Sequence, residues 1–243
     1  MPKNPITTNW NVKFDDRPTS YVPRIKYSHK FSRKYLVNRD LILEIGCGTG
    51  SFTRLVNRTG CIALDQDINS VKIAKKYCSN SDFIVASAMN LPFREETFNL
   101  VCMWGVFEEI PKGGEKQIIT EIKKILTLNG AFLLSVYGNH FISKILDPAF
   151  IFRGIRHYDL KKFLNLIQER GLFIDEYTIR GNLNTIVAIF LVYFYKHILK
   201  KKEGVIKNYF DKKSDMEFDS GKKGFVYIFI AASKRTNHDR IGA

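Results

Sequence analysis

The chain has 243 residues, 45% of them apolar, and a net charge of +14. That length suits one large domain or a core with an appendage, and the composition is globular rather than disordered or fibrous. No charged-then-apolar leader opens MPKNPITTNW. Cys47, Cys61, Cys78 and Cys102 form no CxxC pair, so they read as buried thiols in a reducing cytoplasm, with no metal site expected.

The charge is unevenly placed. Residues 1–40 carry nine Lys and Arg against three acids, residues 41–195 seventeen against fifteen, and residues 196–223 nine lysines against five acids. The middle is nearly neutral between two basic flanks, which suit an anionic partner: nucleic acid or an acidic membrane surface.

In chain order, residues 1–40 form an irregular lead-in or cap holding four prolines, with a helix near 24–38. LILEI (41–45) reads as a short buried strand and 51–58 as the opening of a helix. CIALD (61–65) is a second strand. INSVKIAKKYC (68–78) is helical, with Ile68, Val71, Ala74 and Cys78 on one side. DFIVA (82–86) and FNLVCMW (98–104) are strands three and four. EKQIITEIKKIL (115–126) is an amphipathic helix stopped by Asn129–Gly130, and AFLLSVY (131–137) is strand five. A helix follows over 159–171, then strands over 172–179 and 224–234. Short apolar strands alternating with helices predict an α/β fold: a mostly parallel sheet covered on both faces.

Between the last two strands, IVAIFLVYFY (186–195) is ten apolar residues in a row, with KKK soon after. It is too short to span a bilayer, which takes about 20 residues. A helix buried in the core, lining an apolar pocket or lying on an anionic membrane remain the readings. The organisation expected is a core over 41–180 and 224–234 with a helical insert over 181–223.

The chemistry starts at LEIGCGTGSF (43–52), between the first strand and the first core helix, where an open α/β sheet binds its ligand. A dinucleotide fingerprint would place a third glycine at position 51, which is Ser51; a P-loop would need Gly-Lys-Ser/Thr, which is absent. Glu44 at the loop mouth would repel a pyrophosphate and attract an ammonium or sulfonium ion. Asp65, nineteen positions past Gly46, ends the second strand, where a carboxylate can accept both hydroxyls of a ribose.

These residues resemble the class I S-adenosylmethionine-dependent methyltransferases. LEIGCGTG is similar to that family's first motif and ALDQDINSVKIAKKY to its second. ASAMNLPFREETFNLVCMWGVFEEI resembles its GDAxxLPFxxxxFDxVxxxxxxxH stretch, and EIKKILTLNGAFLLS its RxLKPGGxLLxS helix and strand. The resemblance covers 41–137 well and 156–180 plus 224–234 loosely. It implies a Rossmann-like, seven-stranded sheet with an antiparallel last strand, and S-adenosyl-L-methionine as cofactor. Gly46, Cys47, Gly48 and Gly50 would then cradle the methionine part and Glu44 favour its amino group. Asp65 and Gln66 would serve the ribose, Ser87 and Ala88 the adenine edge, and Trp104 would lie near the methyl donor. Three positions depart from the pattern: Ser87 and Asn99 where Asp is usual, and Glu108 or Glu109 where His is common. The segments 1–38 and 183–215 match nothing general in the family, and such enzymes carry substrate caps there.

Transfer from a sulfonium chiefly needs an acceptor held in line, plus a base where the acceptor is a hydroxyl or carbon acid. RHYD (156–159) precedes a helix near the carboxyl edge of the sheet. His157 can be the base and Arg156 can hold an anionic substrate, although Asp159 reads as a helix N-cap. Glu108 is a second catalytic candidate and Tyr137 a substrate contact. A small-molecule or lipid-like acceptor is the expectation, with peripheral contact to the inner membrane face through 183–213. The alternatives are an RNA or tRNA acceptor, suited by the positive charge, and a cofactor-binding accessory protein without catalysis.

Overall fold

The computed structural model describes residues 22–37, 39–147, 150–151, 154–195 and 205–235. The lead-in over 1–21 and most of the lysine run after residue 195 lie outside the described residues.

Along the chain come α1 (Val22–Leu36), β1 (Ile42–Ile45), α2 (Ser51–Val56), β2 (Cys61–Asp65), α3 (Ile68–Tyr77), β3 (Ser81–Val85) and β4 (Phe98–Trp104). Then follow α4 (Glu115–Ile125), β5 (Leu126–Tyr137), α5 (Phe141–Leu146), α6 (Leu160–Glu169), β6 (Phe173–Arg180), α7 (Leu183–Tyr193), α8 (Val205–Asp219) and β7 (Tyr227–Ser233). The seven strands form one sheet in the order β3-β2-β1-β4-β5-β7-β6. β1 to β5 pair in parallel, and β7 runs antiparallel to both β5 and β6. The chain order reverses between β1 and β4, so the crevice past their carboxyl ends is the switch point at which open α/β sheets take ligands.

The strands are apolar on both faces because both are covered. Leu43, Ile45, Val101, Met103, Phe132 and Leu134 pack with α4 and α6 through Ile118, Ile122, Phe163 and Ile167. Alternate residues of the same strands, Ile42, Leu100, Cys102, Trp104 and Leu133, pack with α1, α2, α7 and α8 through Ile25, Phe52, Ile186 and Phe218. All four cysteines are buried, free thiols.

The expected elements are present with shifted ends. β5 begins at Leu126, five residues before AFLLSVY, in the stretch read as the end of the helix and its Asn129–Gly130 stop. Asn129 turns the chain at φ 61°, and the pairs Asn129 N–Lys234 O (2.8 Å) and Lys234 N–Gly130 O (3.0 Å) hold the early segment to the chain after β7. The apolar run 186–195 forms most of α7, with Ile186, Ala188 and Ile189 buried and Phe190 45% exposed. No described helix is long and apolar enough to cross a membrane. The α7–α8 pair is fixed by Glu217, whose carboxylate accepts from the backbone amides of Asn182, Asn184 and Thr185 at the start of α7. Two ion pairs join α1 to α8: Lys26–Asp215 (2.6 Å) and Lys30–Asp219 (2.5 Å).

Candidate active site

The glycine loop follows β1. Gly46, Gly48 and Gly50 all have positive φ, at 71°, 52° and 80°. At Gly46 the lack of a side chain is required, since a Cβ there would collide with Val106. At Gly48 a Cβ would meet nothing within 4 Å, so the backbone faces open space that a ligand can occupy. Cys47 lies between them, buried, and burial pushes its thiol well above the ordinary range. Gly46 N and Cys47 N both donate to Leu64 O (2.8 and 2.9 Å), which draws the loop over the end of β2.

Asp65 stands at that end. Its Oδ2 accepts from Gly48 N (2.8 Å) and its Oδ1 from Asp67 N (2.9 Å). Each oxygen retains acceptor capacity for a diol while the amides fix the carboxylate in place. Gln66 beside it is exposed. Ser87, past the end of β3, is exposed and accepts from Met89 N (3.2 Å); Ala88 is half-buried against the core. Asn99, by contrast, lies at the amino end of β4, where Oδ1 accepts from Asp40 N and Leu41 N (3.3 and 3.2 Å). That departure is a strand-start tie at the opposite end of the sheet from the loop.

Glu44 does not stand at the loop mouth as expected. It is 3% exposed, on the sheet face covered by α2, and its carboxyl group accepts a hydrogen bond from Thr53 Oγ1. Burial pushes its pKa up to about 8, against the hydrogen bonds from Thr53 that lower it. Trp104 is likewise a buried ring, 5.2 Å from that of Phe52, with Nε1 sealed from solvent and without a hydrogen-bond partner among the described residues.

Past β4 and β5 the structure gathers a second group. Glu108, the second catalytic candidate, is 4% exposed. Its Oε1 accepts from Tyr137 N (2.8 Å), and Oε2 has no partner among the described residues. Burial pushes it up to about 7, while Arg24 opposes the shift. Tyr137 Oη accepts from Tyr227 Oη (3.0 Å), and its ring stacks on His157 at 5.3 Å and 9°. His157 is no mere flanking residue. Its Nε2 lies 3.0 Å from Asp147 Oδ2, with both side chains sealed from solvent, and Nδ1 has no hydrogen-bond partner among the described residues. Asp159 caps α6 as expected, accepting from Lys162 N (3.0 Å).

Arg156 is turned away from an anion-holding role. Its guanidinium donates to Phe107 O (2.5 Å) and pairs with Glu115 (3.1 Å), tying the β4–α4 loop to the approach to α6. The cation that does reach the cluster is Arg24 of α1, which sequence reasoning missed together with Asp147, Tyr227 and Thr53. Its guanidinium lies against Gly105, where a side chain would collide with it, and 5.6 Å from the ring centre of Tyr227. A signal for it existed in the sequence: Arg24, Ser28, Ser32 and Leu36 fall at i, i+4 steps, and the last three are buried.

The glycine loop at the switch point, with a ribose-type carboxylate at the end of the next strand, defines a Rossmann-like, class I methyltransferase fold and cofactor site. Residues 42–130 match the family model described as methyltransferase domain. The chain carries a class I S-adenosylmethionine-dependent methyltransferase domain, and S-adenosyl-L-methionine is its cofactor. An uncharacterised protein of Methanocaldococcus jannaschii, MJ1252, is 28% identical over 152 residues, 59% of this chain and 56% of that protein. The aligned part thus spans little more than half of that relative. Demethylmenaquinone methyltransferase of Thermotoga maritima is 26% identical over 174 residues, 69% of this chain and 71% of that protein. The tRNA (carboxymethyluridine(34)-5-O)-methyltransferase of Arabidopsis thaliana is 29% identical over 106 residues, 42% and 25% of the two chains. Among solved structures, an S-adenosylmethionine-dependent methyltransferase from Methanosarcina mazei superposes with a TM-score of 0.60 at 16% identity. The match covers 85% of this chain and 98% of that one.

Proposed function

We propose that the chain methylates a small, largely apolar acceptor bound at the carboxyl ends of β4 and β5. One observation carries this reading. The buried and half-buried group of Arg24, Glu108, Tyr137, His157 and Tyr227 adjoins the glycine loop through Gly105 and Val106, and it is rich in aromatic rings. Such a lining suits an apolar molecule with a few polar handles.

The residues present fit the cofactor. Gly46, Gly48 and Gly50 leave the backbone open to the methionine portion, Asp65 takes the ribose hydroxyls, and Ser87 and Ala88 take the adenine edge. Gln66 is exposed beside the ribose position. Glu44 supports the cradle from beneath and gains charge as a cation approaches. When bound, the cofactor supplies a methyl group activated by a sulfonium. The chain's own work is to position the acceptor, exclude water and receive a proton. Tyr137 supplies a flat aromatic wall, and Trp104 packs behind the end of β4. With Nε2–H donated to Asp147, the Nδ1 lone pair of His157 is the one available to take a proton from an acceptor hydroxyl. Glu108 positions Tyr137 through its backbone amide.

Above this edge, α7 and α8 act as the acceptor cap, with α1 packed beside α8 on the same face. Phe141, Ile145, Leu146 and Ile151 on and after α5, with Leu183 and Phe190 on α7, are exposed apolar residues. They suit admission of an apolar acceptor from a lipid surface, with the lysines of 183–213 favouring an anionic one. The Thermotoga relative named for a menaquinone precursor agrees with an apolar acceptor; the Arabidopsis relative named for tRNA favours the RNA reading, as does the +14 charge.

The experiment is methyl partitioning. Purified protein and methyl-labelled S-adenosylmethionine are added to an extract of cells lacking the gene, and organic, small aqueous, RNA and protein fractions are separated. Label in the organic or small-molecule fraction is expected. Label confined to RNA replaces this reading with the nucleic-acid one. No label, with the cofactor bound, replaces it with an accessory role.

A further inference from the structure

We infer that Arg24 forms an oxyanion subsite at the carboxyl end of β4, taking a carboxylate or ionised hydroxyl of a bound ligand. This rests on the cofactor reading above. The helical stripe of Arg24, Ser28, Ser32 and Leu36 turns the side chain inward, and Gly105 leaves the space into which the guanidinium fits. Its Nε is sealed from solvent with no hydrogen-bond partner, and no carboxylate lies within ion-pair distance of Arg24 among the described residues. Glu108, the carboxyl group nearest in role, has already committed one oxygen to Tyr137 N.

A half-buried guanidinium without a bonded counter-ion among the described residues is costly. The phenol oxygens of Tyr227 and Tyr137 and the carboxyls of Glu108 and Glu109 offset the burial and keep it charged. None of them supplies the planar pair of acceptors that the arginine fork matches. A ligand carboxylate would. Two sources fit: the amino-acid end of the cofactor, or an acidic group on the acceptor.

The test uses the full chain and its Arg24→Gln and Arg24→Lys variants, measuring binding by calorimetry and thermal shift. The probes are S-adenosylhomocysteine, 5′-methylthioadenosine (which lacks the amino-acid end), benzoate and neutral benzyl alcohol. If the cofactor carboxylate is held, Arg24→Gln weakens S-adenosylhomocysteine about 10–100-fold and leaves methylthioadenosine unchanged. If the acceptor is held, S-adenosylhomocysteine binding persists, and stabilisation by benzoate but not benzyl alcohol is lost. Either result supports the subsite. A natively folded Gln variant that binds all probes as the parent does overturns it. Should the Gln variant not fold, Arg24→Lys decides: partial loss supports, parental affinity overturns. Failure of both adenosine probes on the parent protein removes the cofactor reading instead, and the benzoate arm then decides the subsite alone.

Discussion

Glu44→Gln isolates the buried carboxyl group beneath the glycine loop. The substitution keeps the shape and an acceptor for Thr53 Oγ1 while removing the titration. The folded carboxyl group has a pKa raised to about 8, from 4.5, so between those values the unfolded chain loses its proton first. Stability is therefore drained as pH rises: nothing is lost below about pH 4.5, about 3 kcal/mol is lost at pH 7, and about 5 kcal/mol above pH 9. In a chain of this length a kcal/mol moves Tm by about 2–4 °C. Thermal melts of both proteins without cofactor at pH 5, 6.5 and 8 should nearly coincide at pH 5, with the Gln variant melting about 10 °C higher at pH 8. S-adenosylmethionine should narrow the gap at pH 8, since a cation near Glu44 favours its ionised form. A difference between the two proteins that does not change with pH refutes the buried-carboxyl argument.

Gly46→Ala must place a Cβ against Val106 at φ 71°; it should cost about 1–3 kcal/mol of stability in urea titration and abolish the S-adenosylhomocysteine thermal shift. Asp65→Asn keeps an acceptor for Gly48 N but loses the charge-assisted grip on a diol, so calorimetric affinity for S-adenosylhomocysteine should fall about tenfold with little change in Tm. His157→Asn and Asp147→Asn should each lower turnover of the acceptor found by partitioning about 10²–10⁴-fold while sparing cofactor binding; equal turnover removes His157 from catalysis. Glu108, raised to about 7, adds a second stability loss as pH climbs from 4.5 through 7, which Glu108→Gln should remove in the same melts.

The cofactor half of the site was legible because it is local. Gly46, Gly48, Gly50 and Asp65 lie within twenty residues, and their spacing and residue types already state a left-handed loop over the end of a strand. The other half was assembled from afar. Arg24 meets Gly105 and Tyr227, and His157 meets Asp147 and Tyr137; which partners meet is set by helix docking, and no periodicity encodes that. Arg156 misled for the same reason, because a charge near the right edge was spoken for by Glu115. Glu44 was read at the right position but on the wrong side of the loop: in a short strand covered on both faces, alternation alone does not say which face holds the carboxyl group. The early start of β5 depends on backbone bonds to residue 234, more than a hundred positions on.

The two rungs from α1 to α8 each join residues 189 positions apart. During synthesis α1 therefore leaves the ribosome before every other described element, yet part of its dock, beside α2 and β4, is made of the last helix and β7. Until those arrive, Tyr27 lacks the rings of Phe218 and Phe229 on which it packs, and Lys26 and Lys30 lack their acidic partners. Assembly of the acceptor side of the site is thus the closing event of folding. A nascent chain stalled before residue 205 would carry the glycine cradle and α7 but neither α8 nor β7 to hold α1 in place.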